Sequence, residues 1–361
     1  MRIVAAVSAT LLTAWSGVLL AQEAWVLQYR SDRYVLARTS VATLKDVASF
    51  VGPATWGESA AALAVLSYKP ALGGYVLDLI DKSSQQTLVT WPIGGVPTVQ
   101  HGGPASMVML TDADAYFITL HGYSSPGPND LAGFDFNRLR LADGTIQRVP
   151  LSKNFASPRV VSLSATPLIY EWNGYGVWEF DAARGAIRKL VGQAELSDIL
   201  ASENAARREP SRSEGVAEFV AVPGAGMFRL SKAGELHQIL RADLTPVSAP
   251  HRAAALGGGK IQVFSIEVEG RPAIGFLRED DTGLTTFGYV DARSLTVTTQ
   301  ATMPHASVAD LAVPAANGNL YYLDRTTHSI ERLSKQGATT VHTLQPGELL
   351  PDTRLVIVED P

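Results

Sequence analysis

Three histidines stand where a binding face could use them. His101 is followed by Gly102-Gly103, His121 by Gly122-Tyr123, and His305 comes directly after Met303-Pro304. All three lie beside connections between apolar, strand-like runs. An imidazole in such a place can bind a ligand, pass a proton or hold a metal. Tyr123 adds a hydroxyl and an aromatic face. Trp56, beside Gly57-Glu58, reads as a loop residue whose indole suits the rim of a binding mouth. His101, His121, Tyr123, His305 and Trp56 are therefore the ligand-binding candidates. The plainer reading makes the histidines ordinary loop residues. No His-x-x-x-His pair occurs, and no Asp or Glu stands at a fixed spacing to a histidine, so no metal site is expected.

The carboxylates give no stronger signal. Asp112 with Asp114, and Glu279 with Asp280-Asp281, are close enough in sequence to share a proton or a cation. Both groups fall at turns, where Asp is favoured because its side chain bonds nearby backbone N–H groups. No Gly-x-Ser-x-Gly nucleophile elbow is present. Gly257-Gly258-Gly259-Lys260 lacks the spacing of a phosphate loop. No catalytic residue can be named on these grounds.

Composition narrows the class. The 361 residues are 46% hydrophobic and 18% charged, as in a globular protein. The formal net charge of −5 argues against nucleic acid as a partner. With no cysteine, disulfides, a lipid-modified cysteine and a Cys-x-x-Cys-His haem site are all excluded. Arg2 followed by the apolar run Ile3 to Ala21 has the form of a secretory signal peptide, residues 1–21. An uncleaved membrane anchor is the alternative, since the run is about long enough to span. No later run matches it, so no stable membrane insertion is expected after cleavage. Export without cysteine suits a bacterial periplasm or secretion.

The elements that must position any site are short strands. Asn319 to Ser334 holds two of them. Leu320-Tyr-Tyr-Leu323 is apolar throughout, as a strand covered on both faces would be. Asp324 to His328 makes a turn, and Ile330 to Leu333 returns. With Asp310–Pro314 before and Thr340–Leu344 after, this is a four-stranded meander. Similar hairpins have turn centres near residues 39, 84, 143, 183, 232, 293 and 326. Their mean spacing of roughly 48 residues is the period of a propeller blade. The expected fold is an all-β β-propeller over residues 22–361, a single domain with seven four-stranded blades. The uneven spacing also admits six or eight. A short helical or loop insertion interrupts the pattern near residues 194–214. Trp91, Trp172 and Trp178 fall in strands and are expected to pack between blades. To close the ring and remove an exposed edge, one of Val26–Tyr29 and Leu355–Val358 should lie in the sheet formed by the opposite terminus.

Gly74-Tyr-Val-Leu-Asp-Leu-Ile-Asp-Lys-Ser-Ser-Gln-Gln-Thr-Leu-Val-Thr-Trp-Pro-Ile-Gly-Gly-Val-Pro97 resembles a YVTN-type propeller repeat. A strand ends in Asp, a turn follows, and the next strand runs into a Gly-Gly-x-Pro corner. Gly318-Asn-Leu-Tyr-Tyr-Leu-Asp324 with Ile330-Glu-Arg-Leu-Ser334 is similar to an NHL-type blade. The resemblance implies a propeller and no particular activity. It also brings in, distantly, the heavy chains of periplasmic amine dehydrogenases, whose quinone cofactor belongs to a partner subunit. No cofactor is expected on this chain. Without a catalytic constellation, the expected role is a non-catalytic binding or scaffold protein. It would hold a protein or small-molecule partner at one face of the ring. The alternative is a propeller subunit of an amine dehydrogenase-type oxidoreductase.

Overall fold

The computed structural model describes residues 23–30, 33–39, 44–97, 108–121, 133–151, 155, 158–171, 175–206, 218–304, 311–314, 320–334, 337–345, 347–350 and 353–359. The segment read as a signal peptide, 1–21, lies outside them. Most described residues fall in antiparallel sheets that run in chain order.

Seven blades form a β-propeller. Blades 4, 5, 6 and 7 are simple meanders beginning at Pro158, Glu218, Lys260 and Leu311. In blade 3 the first strand comes in two pieces, Val96–Pro97 and Val108–Leu110, both paired with Asp114–His121. Blades 1 and 2 are joined by one long strand, Leu44–Glu58. Its first half pairs with Arg33–Thr39 and closes blade 1. A register shift between Val51 and Thr55 then turns it into the first strand of blade 2, paired with Ala62–Lys69. The first strands of neighbouring blades approach one another around the axis.

The core lies in the seams between blades. Each blade's sheet is covered on both faces, so its second strand is largely apolar. Leu320, Tyr321, Tyr322 and Leu323 are all buried. Tyr321 and Leu323 face blade 1, while Leu320 and Tyr322 face blade 6. Every other seam has its own cluster, as in Trp25, Leu27 and Phe50 of blade 1 against Trp56, Leu63 and Ile80 of blade 2. The seams leave little room near the axis. A Cβ on Gly57 would fall 1.9 Å from the carbonyl oxygen of Val108 on the next blade.

The ring closes as the strand pattern requires. Arg354–Glu359 pairs with Glu23–Arg30 and supplies the first strand of blade 1. Polar contacts hold the joint. Gln28 Nε2 donates to Thr353 Oγ1 at 2.9 Å and to the carbonyl oxygen of Glu348. Leu44 N–H donates to Glu348 Oε1 at 2.9 Å.

Many of the turn aspartates act on backbone. Asp81 Oδ1 accepts from Ser84 N–H at 2.6 Å, and Asp181, Asp291 and Asp324 each accept from two following N–H groups. At Asp81 the Ser83 hydroxyl and Ser84 N–H favour the ionised form and bring the carboxyl down to about 2, and the Ser294 N–H likewise lowers Asp291.

Two hairpins are one strand out of phase with the rest. Those at 33–50, 74–92, 133–150, 177–191 and 284–304 join third and fourth strands, but those at 226–241 and 320–334 join second and third. This accounts for the long interval between the turns near 232 and 293 and the short one from there to 326. The expected helical insertion is α1, Ser197–Ala206, between blades 4 and 5.

Removing residues 354–361 deletes the strand that buries Leu355 and Val356, each contributing about 1.5–3 kcal/mol. The calorimetric melting temperature should fall by about 5 °C or more. An unchanged midpoint would rule out this closure.

Candidate functional site

Each blade's meander runs in the same sense, so the starts of first strands and the ends of second strands share one end of the ring. Pro158 opposite Glu171 marks it in blade 4, and Glu218 opposite Leu230 in blade 5. Pro97 and His121 lie at this end in blade 3, and Pro304 in blade 6. His101, Tyr123 and His305 follow these strand ends in sequence but lie outside the described residues, as does Trp172. His121 is the last residue of its strand.

Trp56 is not in a loop. It sits within Leu44–Glu58, is 8% exposed, and packs against Trp25 and Leu63 in the seam between blades 1 and 2. The continuous strand that joins those blades carries it inward. Trp91 and Trp178 pack against seam clusters, as their strand positions predict. The close acidic pairs are structural. Asp114 accepts from Arg138 Nη2 at 2.9 Å and from the Tyr116 hydroxyl at 3.2 Å. Asp280 Oδ1 accepts from the N–H groups of Thr282 and Leu284. Among the described residues no group of three or more His, Asp or Glu side chains could hold a metal ion.

A different set of residues meets at the common end. Glu218 opens the first strand of blade 5, Glu218–Val222, ahead of four buried residues. Arg159 is the second residue of the first strand of blade 4 and is 6% exposed. Tyr170 stands directly opposite Arg159 on the second strand and packs on Phe219 with ring centroids 5.2 Å apart. Arg159 and Tyr170 face the seam between blades 4 and 5, while Glu218, alternating with Phe219, faces blade 6 and lies within electrostatic reach of Arg159. Glu218 is half-buried, and its carboxylate accepts from the backbone N–H of Val263 on the first strand of blade 6.

Burial dominates the electrostatics of Glu218 and pushes its carboxyl up to about 7, against the opposing pull of Arg159 and the Val263 N–H. Burial also raises Tyr170. The Arg159 charge and its hydrogen bond to the phenol work the other way, and the Glu218 charge adds to the rise. An acid poised near neutrality can both take and give a proton, and a neighbouring guanidinium can hold a developing oxyanion. No sequence motif marks these residues because each comes from a different strand. The available signal is a charge at the head of an apolar inner strand, as in Glu218-Phe-Val-Ala-Val222 and Arg159-Val-Val-Ser-Leu163.

No protein-family model matches the chain, and no curated protein sequence matches it. Solved structures do match in fold. A candidate 6-phosphogluconolactonase from Bacteroides uniformis superposes with a TM-score of 0.53 at 11% identity, covering 94% of this chain and 99% of that one. A puromycin hydrolase gives 0.53 at 13% identity, with 91% of this chain and 53% of that chain covered. The periplasmic gluconolactonase of Pseudomonas aeruginosa gives 0.50 at 13% identity, with 93% and 100% covered. These likenesses establish the propeller fold. They also correct the expectation of a non-catalytic binding or scaffold protein, because rings of this fold matched over nine-tenths of this chain carry lactonase names. That expectation rested on a missing local motif. In a ring, reacting groups can be drawn one per blade, so a missing motif says little about activity.

The raised carboxyl of Glu218 has a stability consequence. Its ordinary value is 4.5 and its folded value about 7. The native state thus holds a proton between these values that the unfolded chain has lost. This contribution is fully present below the unfolded value and is lost as pH rises through the folded one. Glu218→Gln, neutral throughout, should melt above the wild type by a margin that widens from acid to alkaline pH, reaching about 2 °C or more. Parallel melting curves of the two proteins across that range would refute the raised carboxyl.

Proposed function

We propose that the ring is a hydrolase that opens lactones or related small esters, with Glu218 and Arg159 as its working pair. The observation that carries this reading is the Glu218 carboxyl poised near 7 beside Arg159 on adjacent inner strands. The lactonase names of similarly folded proteins agree with it. The substrate carbonyl is held with its oxygen toward the Arg159 guanidinium. Ionised Glu218 takes a proton from water as the water oxygen bonds to the acyl carbon. The oxyanion that forms is stabilised by Arg159. As the carbonyl re-forms, the bond from acyl carbon to ring oxygen breaks, and protonated Glu218 gives its proton to the departing alkoxide. Tyr170, bonded to Arg159, keeps the guanidinium aimed. No cofactor or metal is required.

The partner is a small molecule that enters at the end of the ring holding Glu218. His101, His121, Tyr123 and His305, which in the sequence stand at or after strand ends, are our candidates for outer contacts to substrate. A protein of net charge −5 has no use for nucleic acid at this site. We read the chain as exported to the periplasm after cleavage of residues 1–21. Support comes from the apolar leader, from the periplasmic neighbour, and from the absence, among described residues, of a helix long and apolar enough to cross a membrane. The segment 74–97 is taken as a YVTN-type repeat and 318–334 as an NHL-type blade.

The test is acid release from gluconolactone, γ-butyrolactone and p-nitrophenyl acetate, corrected for spontaneous hydrolysis. On at least one of them kcat/KM should rise with pH through an apparent pKa near 7. Glu218→Gln should lower kcat by about 10²–10⁴-fold, and Arg159→Met by about 10²–10³-fold. Wild-type turnover no faster than that of Glu218→Gln on all three compounds would end this assignment.

A further inference from the structure

α1 lies over the seam between blades 4 and 5. Its apolar side places Ile199, with Leu196 just before the helix, in the cluster that holds Tyr170 and Phe219. Its polar side grips the second and third strands of blade 5 and the approach to the fourth. Glu203 pairs with Arg229 at 2.9 Å and accepts from Lys232 N–H at 2.8 Å. Ser202 Oγ donates to Glu235 Oε2 at 3.2 Å. Asp198 accepts from His251 N–H at 2.7 Å, and its Oδ1 lies 2.9 Å from His251 Nδ1.

One group beneath this clasp is not satisfied. His237 stands opposite Arg229 on the third strand of blade 5 and is 5% exposed. Both its ring nitrogens are buried without a hydrogen-bond partner. Leaving a polar ring so placed costs free energy. The groups facing it are Arg229 from the second strand, Glu235 from its own strand, Asp198 from α1 and His251 from the approach to the fourth strand. Glu203 of α1 faces Arg229.

We propose that α1 is an acid-released clasp over the seam between blades 4 and 5, with His237 as its trigger. At neutral pH the imidazole is uncharged, since burial and the Arg229 charge oppose a second cation there. Its Nε2 lies 3.6 Å from Glu235 Oε2, the same oxygen that accepts from Ser202 of α1. Protonated His237 competes with Ser202 for this carboxylate and draws it inward. It also places a second positive charge beside Arg229, whose partner Glu203 is carried by α1. Both effects weaken the grip of the helix, and water reaching the new cation favours its departure. The pH sign is that of a histidine held below its ordinary value: its contribution to stability is present above that value and is lost as the pH falls. With the clasp lifted, Tyr170 and Phe219 lose their cover. The consequence for turnover rests on the hydrolase reading above; the release itself does not.

Hydrogen–deuterium exchange of residues 197–206, corrected for intrinsic rate, tests this on the full chain at pH 7.5 and 5.0. Uptake in wild type should rise about fivefold or more in acid, while His237→Gln should show no such rise. Unchanged uptake in wild type, or an equal rise in the variant, would overturn the clasp. If the variant does not fold, the His237 ring signals in wild type decide by NMR titration. A midpoint below 6.5 supports the trigger, and one at or above 6.5 removes it. Acid-dependent loosening without turnover on any lactone would leave the clasp standing and remove only the hydrolase.

Discussion

The whole molecule depends on a covering problem. A four-stranded sheet of apolar strands has two faces to bury, and a single sheet can bury neither. Placing identical problems side by side in a circle solves all of them at once, since each sheet covers its neighbours. Each of the seven seams holds one compact cluster, and no larger core exists among the described residues. The last seam is as necessary as the others. If blades 7 and 1 do not meet, Tyr321 and Ala24 lose their cover, and the first blade lacks its inner strand.

Much of this was legible in the sequence, for a physical reason. Doubly covered strands are largely apolar on both faces, and the turns between them use aspartate to cap exposed N–H groups. The two signals alternate along the chain, so the hairpins at 74–92 and 284–304 stand out. The phase within each blade was harder to read. Gly226–Leu230 with Glu235–Arg241 looks like a third and fourth strand but is a second and third, because the fourth strand of that blade is only Ala253–Ala255. Trp56 was misplaced because Gly52-Pro53 suggests a break, yet the strand continues through it.

The candidate site was not legible, and the difference is instructive. Local motifs arise when one loop or helix supplies several reacting groups. Here Arg159, Tyr170 and Glu218 come from three strands in two blades and meet only because the ring folds. The same holds for Glu203, Arg229, His237 and His251, which span helix and sheet. Buried charges of this kind do not arise from propensity or pattern, and they cost desolvation unless paired. Arg159, Glu171, Glu203, Arg229 and His237 are all buried in blades 4 and 5 or in the helix between them, so much of the molecule's buried charge gathers there.

The inner strand of blade 1 follows every other described strand in the chain. A nascent polypeptide must therefore carry Glu23–Arg30 with an unpaired backbone edge until Arg354–Glu359 has emerged. Throughout synthesis that edge is open to strands of other copies. Any interruption that leaves the C-terminal strand unmade yields a product whose adhesive flank persists. Such fragments need holding apart, or destroying, by the cell that makes them.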